Sequence, residues 1–146
     1  MKDLTVKSPA FEHNRPMPKK YSCDGESINP TLTIEGIPKE ALSLAIIMDD
    51  PDAPGGTFDH WIVWNISSFT TKIGEHSVPG IEGLNGMRKP GYTGPCPPSG
   101  THRYFFKVYA LNAMLTLSAK STKRDLEKAM QGHIVAKGEL IGLYHR

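Results

Sequence analysis

Two histidines, two aspartates and a tyrosine stand where they could share one task. Asp50 and Asp52 follow an aliphatic run, His60 opens an aromatic and β-branched run, and His102 and Tyr104 open a third. Just before His102 lies Gly94-Pro95-Cys96-Pro97-Pro98-Ser99-Gly100. This set suits an anion. Imidazole N–H groups donate to phosphate oxygens and gain positive charge near neutral pH. Turn amides around Gly94 and Gly100 can form an anion-holding nest. Prolines stiffen the loop and reduce the ordering entropy that a ligand must overcome. A bare carboxylate repels phosphate, so the aspartates need another role. One that accepts a histidine N–H fixes the ring's tautomer and raises its basicity. The other can receive an ammonium or hydroxyl group of the ligand.

Spacing alone leaves plainer readings open. Asp50 to Gly56 reads as a turn whose aspartates cap backbone N–H groups. His60 reads equally as a packed residue beside Trp61, and His102 as surface beside Arg103. Zinc, or iron on two histidines and a carboxylate, is the metal alternative, but the sequence has neither a His-x-x-x-His nor a Cys-x-x-Cys pair. Ser99 or Cys96 near His102 offers a nucleophile for a hydrolase, without the Gly-x-Ser-x-Gly of a nucleophile elbow. Neither a metal nor a cofactor is expected.

The elements that must position these groups are mostly strands. Leu4 to Lys7 alternates weakly, as a first edge strand does, and Pro9 to Lys20 reads as loop. Thr31 to Glu35 alternates as a half-buried strand. Leu42 to Met48 suits a strand buried on both faces, and His60 to Ile66 and Arg103 to Leu111 are two further strong strands. Antiparallel neighbours place the end of one strand beside the start of the next, so Asp50, Asp52, His60 and His102 can converge at one rim. Ser67 to Gly100 is rich in turn residues, and so long a loop in a compact domain is usually functional. Ser121 to Met130 is the helix, with Thr122 and Asp125 in capping positions and Gly132 to close it. Ile134 to Tyr144 resumes alternation, with Val135, Ile141 and Leu143 on one face and Ile134, Ala136, Leu140 and Tyr144 on the other. The pattern predicts an all-β antiparallel sandwich with one short helix before the last strand.

The 146 residues fit one domain spanning 1–146. With 22% charged and 38% hydrophobic residues the composition is that of a folded chain. A net charge of +2, with scattered basic residues, gives no stripe for nucleic acid. Met1 to Ser8 lacks the apolar stretch of a signal peptide, and no segment reaches membrane-spanning length. The expectation is therefore a cytoplasmic protein with Cys23 and Cys96 as free thiols, although one pairing is available to them.

Three ordered blocks then carry a resemblance: Asp50-Pro51-Asp52-Ala53-Pro54, His60-Trp61, and Gly94-Pro95 leading into Gly100-Thr101-His102-Arg103-Tyr104-Phe105. Together they resemble the phosphatidylethanolamine-binding protein family, which includes the Raf kinase inhibitor proteins and the plant flowering regulators. Tyr21 to Gly25 and Gly94 to Pro98 look like its compact bacterial and archaeal branch. The resemblance runs from about Ser8 to Tyr144. It implies two antiparallel sheets, an anion pocket on Asp50, Asp52, His60, Gly94, Pro95, His102 and Tyr104, and a cis peptide before Pro54. The favoured function is non-enzymatic binding of a phosphorylated or anionic ligand. The alternatives are a hydrolase using the same pocket, and a protease or kinase inhibitor acting through a protein surface away from it, so a protein kinase or protease is a candidate partner. Peripheral lipid contact and a homodimer are compatible with it. The family's eukaryotic members carry a C-terminal segment over one side of the pocket. Here the chain ends at Arg146, so the expectation is either a more open pocket or one closed by another loop or subunit, which puts the kinase inhibition of some eukaryotic relatives in doubt.

Overall fold

The computed structural model describes residues 2–146, and among these it has ten strands and one α-helix. In chain order the strands are β1 (Lys2–Asp3), β2 (Thr5–Lys7), β3 (Arg15–Pro16), β4 (Leu32–Glu35), β5 (Ser43–Asp50), β6 (Phe58–Ser67), β7 (Lys72–Ile73), β8 (Ile81–Glu82), β9 (Thr101–Leu111) and β10 (Ile134–His145). The helix α1 (Lys123–Met130) precedes the last strand. The large sheet runs β1-β10-β9-β5-β6-β8, with β3 also paired to β10, and the small sheet runs β2-β4-β7. The four long strands β6, β5, β9 and β10 pair antiparallel, whereas the short β1 and β3 lie parallel to β10. The fold is the expected mainly antiparallel two-sheet protein.

The large sheet buries both faces, and side-chain alternation sorts them. Leu44, Ile46 and Met48 of β5 join Phe106, Val108 and Ala110 of β9 in a core shared with Val6, Leu32 and Ile34 of the small sheet. Ala45 and Ile47 of β5 turn the other way, to Leu126 and Met130 of α1. All eight residues of β5 are buried, which is why its sequence reads as an unbroken aliphatic run. That strand extends through Asp49 and Asp50, where the sequence suggested a stop at Met48.

Thr122 caps the helix with Asp125 as expected, its N–H donating to the Asp125 carboxylate at 2.9 Å, but the helix begins at Lys123 rather than at Ser121. The two faces predicted for the last strand are crossed at its start. The β10–β9 register shifts between Ile134 and Ala136, so Ile134 packs with the helix-side core while Val135 and Ala136 both belong to the other. A bulge of one residue inverts the faces before it.

The helix is tied to the large sheet by charge as well as by packing. Asp49, its side chain only 2% exposed, accepts from Lys107 Nζ at 3.0 Å and from Lys123 Nζ at 2.8 Å. Removing this carboxylate takes the partner from Lys107 and leaves Lys123 with Asp59 alone, at 3.6 Å. Asp49→Ala should cost about 3 kcal/mol, the low end for a broken buried pair because both lysines can reach water. A lowered urea midpoint at nearly constant m-value checks this, and an unchanged midpoint would contradict it.

Candidate functional site

The site forms at one end of the large sheet, on the face that meets the small sheet. Asp50 continues the alternation of Leu44, Ile46 and Met48, and His102 and Tyr104 continue that of Phe106 and Val108. His60 gets there differently. Met48 pairs with Trp61 and Asp49 with Asp59, so His60 is an extra residue on β6. Trp61 already faces the core shared with the small sheet. Strict alternation would send His60 to the helix side; the bulge turns it to the pocket instead.

Both histidines are held by hydrogen bonds that fix their tautomers. His60 Nδ1 lies 2.7 Å from the Thr93 carbonyl oxygen, which can only accept, so Nδ1 carries the proton. His102 Nδ1 donates to Asp50 Oδ2 at 2.7 Å, with side chains 10% and 4% exposed. In each neutral ring Nε2 is then left with a bare lone pair. Burial pushes the His60 pKa below the ordinary histidine value, only partly opposed by the Thr93 hydrogen bond and the Asp50 charge. The Tyr104 ring sits between the imidazoles, edge-on to His60 at 5.2 Å and near-parallel to His102 at 6.5 Å between centroids. Its buried hydroxyl forms no hydrogen bond of standard geometry, although the Asp50 carboxylate stands beside it. Burial first, then the Asp50 charge and the Asp50 carboxylate as a nearby acceptor, push that hydroxyl's pKa well up, so it is a protonated donor.

These groups open onto a cavity of about 270 Å³ lined by Asp50, His60, Gly94, His102 and Tyr104. A larger depression of about 590 Å³ passes Glu35, Lys39 and Phe69 but gathers no comparable set of histidine, carboxylate and hydroxyl groups. Among the described residues, no group of three or more His, Cys, Asp or Glu side chains has the arrangement of a metal site.

Other sequence-predicted residues have different work. Asp52 is not part of the cavity lining. Its carboxylate takes Arg103 Nε and Nη2, each at 2.9 Å, and the Arg103 guanidinium holds its pKa down to about 2. Its own N–H donates to Asp50 Oδ1 at 2.8 Å, so Asp52 positions Asp50 from behind. Pro95 also lies outside the lining, with its carbonyl accepting from Cys23 N–H at 3.0 Å. The expected nest of amides is already occupied. Gly94 N–H donates to Ser27 Oγ at 2.9 Å, and Gly100 N–H to the Arg146 carbonyl at 2.8 Å. The peptide before Pro54 is trans, as are all described peptide bonds, against the cis form the resemblance implied.

The cysteines are not free thiols. Cys23 and Cys96 form a disulfide across 73 residues of sequence, with Cα atoms 5.4 Å apart. The compartment argument concerns what a cell favours, whereas the fold brings the two turns within bridging distance. Cys96 itself lines the cavity.

A sequence model of the phosphatidylethanolamine-binding protein family matches residues 7–145. The chain belongs to that family. It is 44% identical to a UPF0098 protein of the archaeon Methanothermobacter thermautotrophicus, over 98% of this chain and 99% of the relative. It is similar in structure to a phosphatidylethanolamine-binding protein homolog of Chlamydia trachomatis, at 41% identity and TM-score 0.96, over 100% and 99% of the two chains. Escherichia coli YbcL, described as a member of the mammalian family, superposes with TM-score 0.91 at 26% identity over 99% of each chain.

Within this family member, the residues that sequence reading missed are the apolar walls: Ala53, Pro54, Phe58, Met87, Pro97 and Pro98. Phe58 packs edge-on to His60 at 4.9 Å. All but Phe58 stand outside the strands and the helix, where an apolar side chain signals nothing until the loop is folded against a cavity.

Two predictions follow from this geometry. His60 should titrate below the ordinary 6.5 in ring-nitrogen NMR, with the proton on Nδ1 when neutral. Its depressed value means that it contributes stability above about pH 6.5 that is lost as pH falls through its folded value, because the unfolded chain takes up the proton first. A His60 titration at or above 6.5 would contradict the burial. At Gly94 an added Cβ would lie 2.3 Å from the Tyr21 carbonyl oxygen. Gly94→Ala should cost about 1–3 kcal/mol in chemical denaturation, because the cavity wall must move off the Tyr21 backbone.

Proposed function

We propose that this protein is a non-enzymatic binding protein whose pocket takes the phosphate group of a small ligand. A phospholipid head group, a phosphate monoester and a phosphorylated side chain share that chemistry, and the last would give such a pocket a route to kinase regulation. One observation carries the reading: two imidazoles with Nδ1 already committed flank a tyrosine whose buried hydroxyl forms no hydrogen bond of standard geometry. Protonated at Nε2, each ring becomes a charged donor toward the cavity, and Tyr104 adds a neutral one. Asp50 offsets the positive charge on His102 and keeps its ring in place. Pro54, Phe58, Met87 and Pro98 give an apolar surface for whatever the phosphate is attached to. The cavity is close to the lower end of small-ligand sites, which suits a head group better than acyl chains.

The hydrolase reading has less support. Cys96 is tied up in the disulfide, and Ser99 is not in the lining. Turnover of a phosphate or carboxyl ester that vanishes in His102→Ala would favour it nonetheless.

Titration with inorganic phosphate or O-phosphorylethanolamine at pH 6 should shift the ring signals of both His60 and His102, and silence at both rings up to high millimolar ligand would refute the proposal. Because only imidazolium donates through Nε2, affinity should weaken as pH rises past the His60 value, which burial holds below 6.5. A flat profile from pH 5 to 8 would exclude that mechanism. His102→Ala should weaken binding by about tenfold or more, as expected for one charged hydrogen bond. Tyr104→Phe separates ligand from fold. It removes a buried hydroxyl without a standard hydrogen bond, so stability should hold or rise by about 1 kcal/mol while phosphate affinity falls. Lower stability with unchanged affinity would assign the hydroxyl to the fold alone.

A further inference from the structure

The Cys23–Cys96 bridge has surroundings that a merely structural cross-link does not require. Both residues are solvent-exposed. Arg146 Nη1 lies 3.2 Å from Cys96 Sγ and 3.9 Å from Cys23 Sγ. Arg146 is held there by two backbone hydrogen bonds with Gly100, at 2.8 and 3.1 Å, and by Asp24, 3.4 Å from Nη2. In thiol–disulfide exchange a thiolate attacks one sulfur and the other departs as an anion, and a departing sulfur that is better stabilised as an anion leaves faster. A guanidinium beside a sulfur supplies that stabilisation.

We propose that Cys23–Cys96 is a thiol–disulfide exchange site with a built-in direction, in which thiols attack Cys23 and Cys96 is the leaving group. The attacking thiolate forms a bond to Cys23 Sγ as the S–S bond breaks, and its electron pair goes to Cys96 Sγ beside Arg146. A second thiolate then displaces Cys23 from the mixed disulfide. The reductant, a thiol such as glutathione or a dithiol, is oxidised to its disulfide by two electrons, and the protein keeps two thiols.

Exchange at this place acts on the cavity. Cys96 to Pro98 form part of its wall, and the two prolines have no N–H with which to anchor it. Backbone bonds pin the segment at Gly94-Pro95 and again at Gly100, and the disulfide is the cross-link between. Opening it frees that wall and weakens ligand binding. This second half rests on the anion-pocket reading above, while the exchange chemistry does not.

The test uses the full-length oxidised chain. It is mixed with glutathione at pH 7, quenched with N-ethylmaleimide and mapped by peptide mass. Glutathione on Cys23 and maleimide on Cys96 is the expected result; glutathione on Cys96, or free thiols before any reductant is added, would overturn the proposal. Arg146→Ala should slow the exchange by about tenfold, and Arg146→Lys should keep most of the rate. Equal rates in the wild type and Arg146→Ala would also overturn it. For the wall, reduced protein should need about tenfold more phosphate than oxidised protein to shift His60 and His102. Identical titrations in the two redox states would overturn the wall's role. Silence in both states would instead remove the anion pocket, and the direction of exchange would still be decided by the mass map.

Discussion

The antiparallel register of β5 against its two neighbours decides whether this molecule has a site at all. Asp49 pairs with Phe105 on one side and with Asp59 on the other. A strand presents successive side chains to opposite faces, so a slip of one residue would exchange Asp49 for Asp50. The two carboxylates have opposite duties: Asp49 takes two lysines on the helix side, and Asp50 takes His102 on the pocket side. Neither environment can accept the other's occupant without leaving a charge unpaired. The buried aliphatic residues of β5, sorted between two cores, hold the register that keeps them apart.

How much of this was readable from sequence depends on whether a residue obeys its strand's period. Asp50, His102 and Tyr104 do, and the blocks that contain them predicted their meeting. His60 does not: it reaches the pocket as the extra residue of a bulge, and nothing in the run from His60 to Ile66 marks the shift. The same blindness crossed the faces of β10, where one residue between Ile134 and Ala136 inverts the pattern. Asp52 shows another limit. Its type and position suggested a pocket carboxylate, but Arg103, the residue next to His102, points to the opposite face and captures it. Sequence gave the right charge at the right end of the molecule, and side-chain direction decided the partner.

The loops were legible as loops but not as walls. Ser67 to Gly100 has the turn residues of a long surface connection, yet its last third folds back along the cavity and is fixed there by partners distant in sequence. Ser27 takes the Gly94 amide, Cys23 N–H reaches Pro95, and the disulfide closes over 73 residues. Each partner lies in the segment between β3 and β4, where proline content and missing periodicity announce only irregular backbone. Gly94 is required by that docking, since the Tyr21 carbonyl occupies the space a side chain would need.

These tethers bear on where the donors for an anion can come from. A turn rich in glycine and proline suggests free amides, but here the amides at both ends of the loop are already bonded inside the protein. In the anion site proposed above, the donors would then be side chains: two imidazoles through Nε2 and one phenol. That makes the site conditional in a way an amide nest would not be. Backbone N–H groups donate at any pH, whereas Nε2 donates only after it takes a proton, and burial makes that proton costly at His60. On the proposed reading, an anion entering the cavity would lower the cost by pairing with the imidazolium, so binding and protonation would favour each other. On the same reading, the tethered wall would hold the apolar side of the cavity in place, leaving little backbone ordering to oppose a ligand.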